Sequence, residues 1–239
     1  MPRASEFKVG AVQAVMFTPD VGAFAPARAL ASVLGEYALR YNGSAASFPL
    51  PDDTPPMIPR VVLQSLDNVW RINAAPARMD SFWGPNAGLV QEGQLHEIVT
   101  QCSQVLEHYV QQNGVRVGRL ALVMLRGCEA PEPARYLVEK FCNEAAREGS
   151  FRHSRSFEIH NHKQYIARFQ PQSINSWVRL RTAQIGANPA IAVEQDINTL
   201  EEGLEQNQFD PTQMRRFFTD ALEEMGTILR VYFPEEIES

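Results

Sequence analysis

The sequence of 239 residues contains only three cysteines, which limits the covalent and metal chemistry open to it. Cys102, Cys128 and Cys142 are an odd number, lie far apart and form no Cys-x-x-Cys pair. This spacing predicts neither a disulfide framework nor a zinc knuckle. We therefore expect free, partly buried thiols.

Long apolar runs are also missing. No stretch approaches the roughly 18 consecutive apolar residues that a membrane helix requires, and the opening MPRASEFK lacks the apolar centre of a signal peptide. With 44% hydrophobic and 21% charged residues, the composition is that of a globular chain. These features predict a cytoplasmic protein with no membrane partner.

Short catalytic motifs are absent as well. The sequence has no Walker loop, no GxGxxG, no GxSxG and no HExxH, and no nucleophile and base stand at a motif spacing. These absences give no support to an enzyme and indicate no cofactor, although catalytic groups can be distant in sequence.

The apolar residues that are present predict alternating strands and helices. Residues 8–18 read as a strand covered on both faces, and residues 24–41 as an amphipathic helix. Five prolines between residues 48 and 59 predict an extended loop. A hairpin around Asp67-Asn68 and a helix over residues 95–109 follow.

The same order then begins again. Residues 118–125 predict a strand and residues 133–147 a helix. Three or four strands follow within residues 154–199, and residues 211–232 form a final helix capped by Asp210. We expect one α+β domain over residues 1–239, with antiparallel sheets packed by long helices. It would have two halves, 1–114 and 115–239, each a strand-helix-strand-strand-helix unit.

Charge is segregated along the sequence. Residues 1–115 have a net charge of −3, residues 116–186 of +6 and residues 187–239 of −9. We predict that the acidic final helix and the strand before it neutralise the basic middle segment within one domain. Alternatively, the basic strands within residues 151–184 are exposed and bind single-stranded nucleic acid, with cations on phosphates and aromatic rings stacked on bases. The candidate residues for a nucleic-acid or partner surface are Arg152, Arg155, Lys163, Tyr165, Arg168, Trp177, Arg179 and Arg181.

Three residues form a candidate metal site. His160 and His162 share one face of a predicted strand with Glu158, and imidazole and carboxylate groups suit zinc or iron. The alternative is the polar face of an edge strand.

Asp196 is a second candidate for a special role, because it lies beside Ile197 in a largely apolar strand and shares a strand face with Glu194. Paired carboxylates can perform acid–base chemistry or bind a cation. We predict instead a structural ion pair between Asp196 and the arginine-rich strand. Near the hairpin, Trp70, Trp83 and Phe82 pack in the core or line a groove for a ligand or partner.

Several segments carry a resemblance to a known group of proteins. These are residues 60–84, the helix around Leu95–Tyr109, the strand GRLALVML, the strand IAVEQDINTL and the closing aromatic helix. Together they resemble a sporadically distributed prokaryotic family of about this length, with no established activity. Here the late element reads Gln195-Asp196-Ile197-Asn198 and lacks the family's second acid. The resemblance implies a patchy bacterial or phage distribution, which would fit an accessory role such as defence or a toxin–antitoxin system.

These observations favour a non-catalytic interaction protein that acts through a protein partner or as a homodimer, because segregated charge steers association. A binder of single-stranded nucleic acid and a metal-dependent enzyme centred on His160 and His162 are the alternatives.

Overall fold

A computed structural model describes residues 2–51, 53–84, 88–167 and 173–235 of the chain. Its strands are β1 (Lys8–Phe17), β2 (Ala45–Ser47), β3 (Val61–Gln64), β4 (Trp70–Ala75), β5 (Arg78–Trp83), β6 (Arg119–Glu129), β7 (Glu158–Ile166), β8 (Ser173–Ile185) and β9 (Asn188–Thr199). Its α-helices are α1 (Pro26–Tyr37), α2 (Leu95–Asn113), α3 (Pro133–Phe141), α4 (Glu144–Glu148) and α5 (Pro211–Tyr232). The predicted α+β class is confirmed. None of the helices in these ranges is long and apolar enough to cross a membrane.

The nine strands form one antiparallel sheet in the order β2-β3-β4-β5-β1-β6-β9-β8-β7. Strands β1 and β6 pair at its centre. On its other side β1 pairs with β5, the last strand of the group β2–β5, and β6 pairs with β9, the last strand of the group β7–β9. The element order after β1 is therefore repeated after β6. This order fits the predicted halves 1–114 and 115–239, and that division stays a prediction.

Helices α1, α2, α3 and α5 pack against one face of the sheet, and we call this the helix face. Alternation along the strands explains the arrangement, since successive side chains of a strand point to opposite faces. In β1, Val12, Ala14 and Met16 are buried toward α2. In β9, Gln195 lies on the same side, and its amide donates to the Met225 carbonyl of α5 at 2.8 Å.

The ends of the two long helices match their sequence signals. Gly114 ends α2 with φ 63°, a left-handed conformation that glycine adopts without steric cost. Asp210 caps α5: its Oδ1 accepts a hydrogen bond from the Gln213 amide at 2.8 Å, and the Gln213 side chain accepts one from the Asp210 amide. Between these ends, α2 and α5 pack side by side over the middle of the sheet.

One predicted helix differs in the structure. The helix expected over residues 133–147 is interrupted because Cys142 is extended and Asn143 caps α4 by accepting from the Ala146 amide. Of the three or four strands expected within residues 154–199, the structure has three, β7, β8 and β9, and Glu158–Ile166 is one continuous strand.

The expectation that β1 is covered on both faces holds for only part of the strand. Val15 and Phe17 are covered by Leu204, whereas Ala11 and Gln13 are half-buried on the face away from the helices. The cysteines are free thiols; Cys142 is half-buried as expected, whereas Cys102 and Cys128 are buried more fully than expected.

Candidate functional site

The face of the sheet opposite the helices, which we call the open face, carries one continuous row of side chains. The row crosses eight strands, from β3 to β7, because each member is the register partner of the next. Its members, in spatial order, are Gln64, Arg71, Phe82, Gln13, Val123, Asp196, Trp177 and His162. Partners in a strand register point to the same side of a sheet, so these side chains form one surface.

A groove of about 380 Å³ lies over the middle of this row. Phe82, Val123 and Leu125 are among its apolar lining residues, and Gln13 and Gln64 supply amides. It lies between β4 and β9, and the turn residues Asn68 and Val69 add to its wall. Two segments border the open face at its ends. Leu89 lies over Gly10 at one end, and Leu204 packs on Phe17 at the other.

The two ends of the groove carry opposite charges. At the β4 end the Arg71 guanidinium stacks over the Phe82 ring, 4.4 Å from its centroid, and no ion pair between described residues involves Arg71. At the β9 end is Glu194, whose Oε2 lies 3.8 Å from Nη1 of Arg179. One end of the groove therefore carries the Arg71 cation, which has no ion-pair partner among the described residues, and the other end carries the loosely paired carboxylate of Glu194.

Arg179 is neutralised by carboxylates on both neighbouring strands. Its Nε lies 3.1 Å from Oε1 of Glu158 on β7, and Glu194 on β9 is its second partner. We predicted neutralisation by the final helix and the strand before it. The strand contributes Glu194, while Glu158 comes from within the basic segment itself. The positive charge of Arg179 on β8 is therefore balanced by carboxylates on the two strands that flank it, β7 and β9.

Trp177 is the large aromatic at the β8 position of the row. Its ring is stacked on His162, with centroids 3.9 Å apart and an angle of 4° between the planes. The His162 Nε2 also lies 3.1 Å from the Asn175 side-chain oxygen. The tryptophan is still 43% exposed, so this pair forms a flat aromatic platform on the open face.

Asp196 lies between Val123 and Trp177 in the row. Its burial raises the pKa of the carboxyl, and the hydrogen bond that it accepts from Asn198 at 2.9 Å opposes this rise. Arg119 and Arg78 act on it through space, and within the described residues neither forms an ion pair with Asp196, since Arg78 pairs with Asp80 and Arg119 with Glu201. The direct partner is thus an amide, and the ion-pair role of Asp196 stays a prediction.

The predicted nucleic-acid or partner surface is divided by the fold. Trp177, Arg179 and Arg181 point to the open face, whereas Lys163 and Tyr165 lie on the helix side of β7. The Tyr165 hydroxyl donates to Glu224 of α5 at 2.7 Å. Arg152 and Arg155 are exposed in the segment before β7, and Arg168 lies outside the described residues.

The predicted metal ligands are brought together only in part. Nε2 of His160 lies 2.8 Å from Oε1 of Glu158, whereas His162 is occupied by Trp177 and Asn175. Within residues 2–51, 53–84, 88–167 and 173–235, no three His, Cys, Asp or Glu side chains are grouped so that they could hold a metal ion.

A network on the β5 side of the open face was not anticipated from the sequence. Asp80 is only 5% exposed and accepts hydrogen bonds at 2.8 Å from both Arg78 and Gln13. Arg78 also stacks on Phe17. Alternation within RMDSFW predicts that Arg78, Asp80 and Phe82 share one face, but only the β1–β5 register brings Gln13 to Asp80.

Comparisons with other proteins add little to this geometry. The sequence matches no protein-family model and no curated protein. Among solved structures, the chain is similar to the TBP of Methanococcus jannaschii, with 9% identity, a TM-score of 0.28 and coverage of 95% of this chain and 99% of that one. It is also similar to the di-domain ARO/CYC StfQ from the steffimycin biosynthetic pathway, with 9% identity, a TM-score of 0.20 and coverage of 93% and 97%. Likeness at this level carries no argument about function.

Proposed function

We propose that the protein is a cytoplasmic, non-catalytic binding protein, whose open-face groove holds an extended segment of a protein partner. The observation that carries the proposal is the groove itself, with an apolar floor of Phe82, Val123 and Leu125 between Arg71 and Glu194. A face of an antiparallel sheet exposed to water is usually polar, so large apolar side chains between two charges favour a recognition surface.

The length of the groove favours a chain segment over a small molecule. Arg71 on β4 and Glu194 on β9 are separated by four strand spacings, about 19 Å at roughly 4.8 Å each. An extended segment covers this distance in about six residue-to-residue steps, that is, with about seven residues. Every second side chain of an extended segment points to the same side. On the side that faces the groove, the segment would carry an acidic residue that pairs with Arg71, then two apolar residues, then a basic residue that pairs with Glu194.

The mixed charge of the open face favours protein over nucleic acid. Glu158 and Glu194 both lie against Arg179, and Asp80 pairs with Arg78 at 2.6 Å. A nucleic-acid groove uses unpaired cations along the phosphate backbone. The role in defence or toxin–antitoxin systems stays a prediction from the resemblance alone.

The proposal is tested by displaying random peptides to the immobilised full chain and to two charge-reversed variants. We expect the wild type to enrich acidic-x-apolar-x-apolar-x-basic sequences. Arg71→Glu should weaken their binding about tenfold, measured by fluorescence anisotropy, and should itself select peptides with a basic residue at the first position. Arg28→Glu, on α1 of the helix face, is the matched control and should change neither result.

Failure to enrich any sequence above the bare support would overturn the proposal, as would equal losses for the two variants. Single-stranded DNA or RNA provides the rival outcome. Binding to it that weakens linearly with the logarithm of salt concentration, with no peptide enrichment, would establish the nucleic-acid alternative.

A further inference from the structure

The two edges of the sheet are unlike each other. β2, at one edge, has three residues, whereas β7, at the other, has nine. Within the described part of the chain, the only strand that pairs with β7 is β8. Natural proteins shorten or cover edge strands because unpaired backbone groups there can pair with another chain. β2 follows this rule and β7 does not.

Exposed apolar side chains surround β7 on both faces of the sheet. Ile166 at its end is 70% exposed, and Trp177 beside it on the open face is 43% exposed. On the helix face, a groove of about 510 Å³ runs between β7 and α5. It is lined by Ile228 and by Val231, which is 76% exposed. A strand added to β7 would cover apolar surface above and below the sheet.

We propose that β7 pairs antiparallel with the β7 of a second copy of this chain, which joins the two sheets across a twofold axis at His162. The nine-residue strand overlaps itself completely in only one such register. In that register the numbers of two facing residues add up to 324. Glu158 faces Ile166 of the second copy, Ile159 faces Tyr165, and His162 faces the His162 of the second copy.

Charge and side-chain type are complementary in this register. Ile159 meets Tyr165 on the helix side at both ends, and a β-branched residue opposite an aromatic one stabilises a strand pair. Lys163 meets Asn161, whose amide nitrogen donates to the Tyr232 hydroxyl and whose oxygen has no partner among the described residues. No two side chains of the same fixed charge meet. A shift of the axis to Lys163 would bring two ammonium groups together.

A disulfide test reports the register directly. Opposite residues of an antiparallel pair have Cα atoms roughly 4.5–5.5 Å apart, within the range that a disulfide spans. In a Cys142→Ser background, mild oxidation with diamide should link His162→Cys into a covalent dimer. His160→Cys, which faces Gln164 in the proposed register, is the matched control and should link several-fold less.

A second pair of variants tests charge complementarity at an exposed position. Ile166→Glu would place an acid opposite Glu158 twice in the dimer, whereas Ile166→Lys would place a base there. Both variants lose the same apolar side chain, so their dimer dissociation constants, measured by sedimentation equilibrium, should differ about tenfold in favour of the lysine variant. Circular dichroism should show the same fold for both.

Three results would overturn the proposal: a wild-type monomer at the highest soluble concentration, equal cross-linking at positions 160 and 162, or equal dissociation constants for the two Ile166 variants. Peptide binding to the open-face groove uses β4, β5, β1, β6 and β9, so these outcomes are independent of the proposed function.

Discussion

At the scale of single residues, Asp196 is a carboxyl group whose burial destabilises the folded protein when the group is charged. Burial raises the pKa of its carboxyl in the folded state, so the folded state binds the proton more tightly than the unfolded state does. The contribution to stability is favourable below the unfolded pKa of about 4 and is lost as the pH rises through the folded pKa.

We predict that Asp196→Asn stabilises the protein at about pH 7 by roughly 1 kcal/mol, which raises Tm by roughly 2–4 °C. The difference should close as the pH falls below about 4, because the carboxyl is then protonated in both states. Thermal unfolding at several pH values measures it. Glu194→Gln, on the same strand face, is the control and should not stabilise. A lower Tm for Asp196→Asn at neutral pH would show that Asp196 is held by a cation, as the sequence-based ion-pair prediction states.

Arg126 is a buried cation on the helix face. Its side chain is fully buried, and none of its guanidinium nitrogens has a hydrogen-bond partner among the described residues. Oε1 of Glu92 lies 3.9 Å away. Burial lowers the pKa of Arg126, while Glu92 opposes this change. A buried, poorly paired charge often costs more in desolvation than its pairing returns.

We therefore expect Arg126→Met to increase the free energy of unfolding by about 1–3 kcal/mol in urea titrations, with an unchanged denaturant slope. Glu92→Gln should destabilise the wild type and leave the Arg126→Met variant unchanged, a coupling that a double-mutant cycle measures. Marked destabilisation by Arg126→Met would contradict this interpretation of the buried guanidinium.

Single residues were only partly predictable from the sequence. Asp196 was recognisable as a carboxylate within the largely apolar predicted strand AIAVEQDINT. Arg126 was not, because an arginine at the end of an apolar strand also fits an exposed strand end. Its burial depends on α5 and the segment at Glu92, which are distant in sequence.

At the scale of elements, the segment after β9 crosses one end of the open face and is held closely against the start of β6. A Cβ atom added at Gly118 would overlap the Leu204 carbonyl group. Leu204 in turn covers Val15, Phe17 and Ala121. The absence of a side chain at Gly118 therefore allows this segment to close over the end of the sheet.

We predict that Gly118→Ala destabilises the protein by about 1–3 kcal/mol, since the backbone of Leu204 would have to move. Gly93→Ala, where an added Cβ meets nothing within 4 Å, is the matched control. Equilibrium unfolding of both variants measures the difference. Equal stabilities would mean that the Leu204 segment is not packed against Gly118.

Periodicity predicted most elements, and it failed where local signals were weak. The bounds of α5 follow from Asp210, Pro211 and a regular apolar stripe. The break between α3 and α4 was missed because the apolar spacing continues across Cys142. The number of strands within residues 154–199 stayed open at three or four, because the alternation in β7 is mostly polar and polar residues mark no boundary.

At the scale of the whole molecule, the open-face groove could not be predicted from sequence, because it depends on strand order. Arg71, Gln13 and Val123 are far apart in the chain and meet only because β4, β5, β1 and β6 are neighbours. The predicted surface was centred on residues 151–184 and therefore included Trp177 and Arg179 but omitted the groove. Nothing in a single sequence states that β1 pairs with both β5 and β6.

The most direct test of the groove is a methyl NMR titration of the full chain with a peptide of the acidic-x-apolar-x-apolar-x-basic pattern. We expect shifts at Val123 and Leu125 on the open face and none at Leu137 and Val138 of α3. The Arg71→Glu variant should require about tenfold more peptide for the same shifts. Shifts confined to α3, or to Ile228 and Val231 beside β7, would contradict the account.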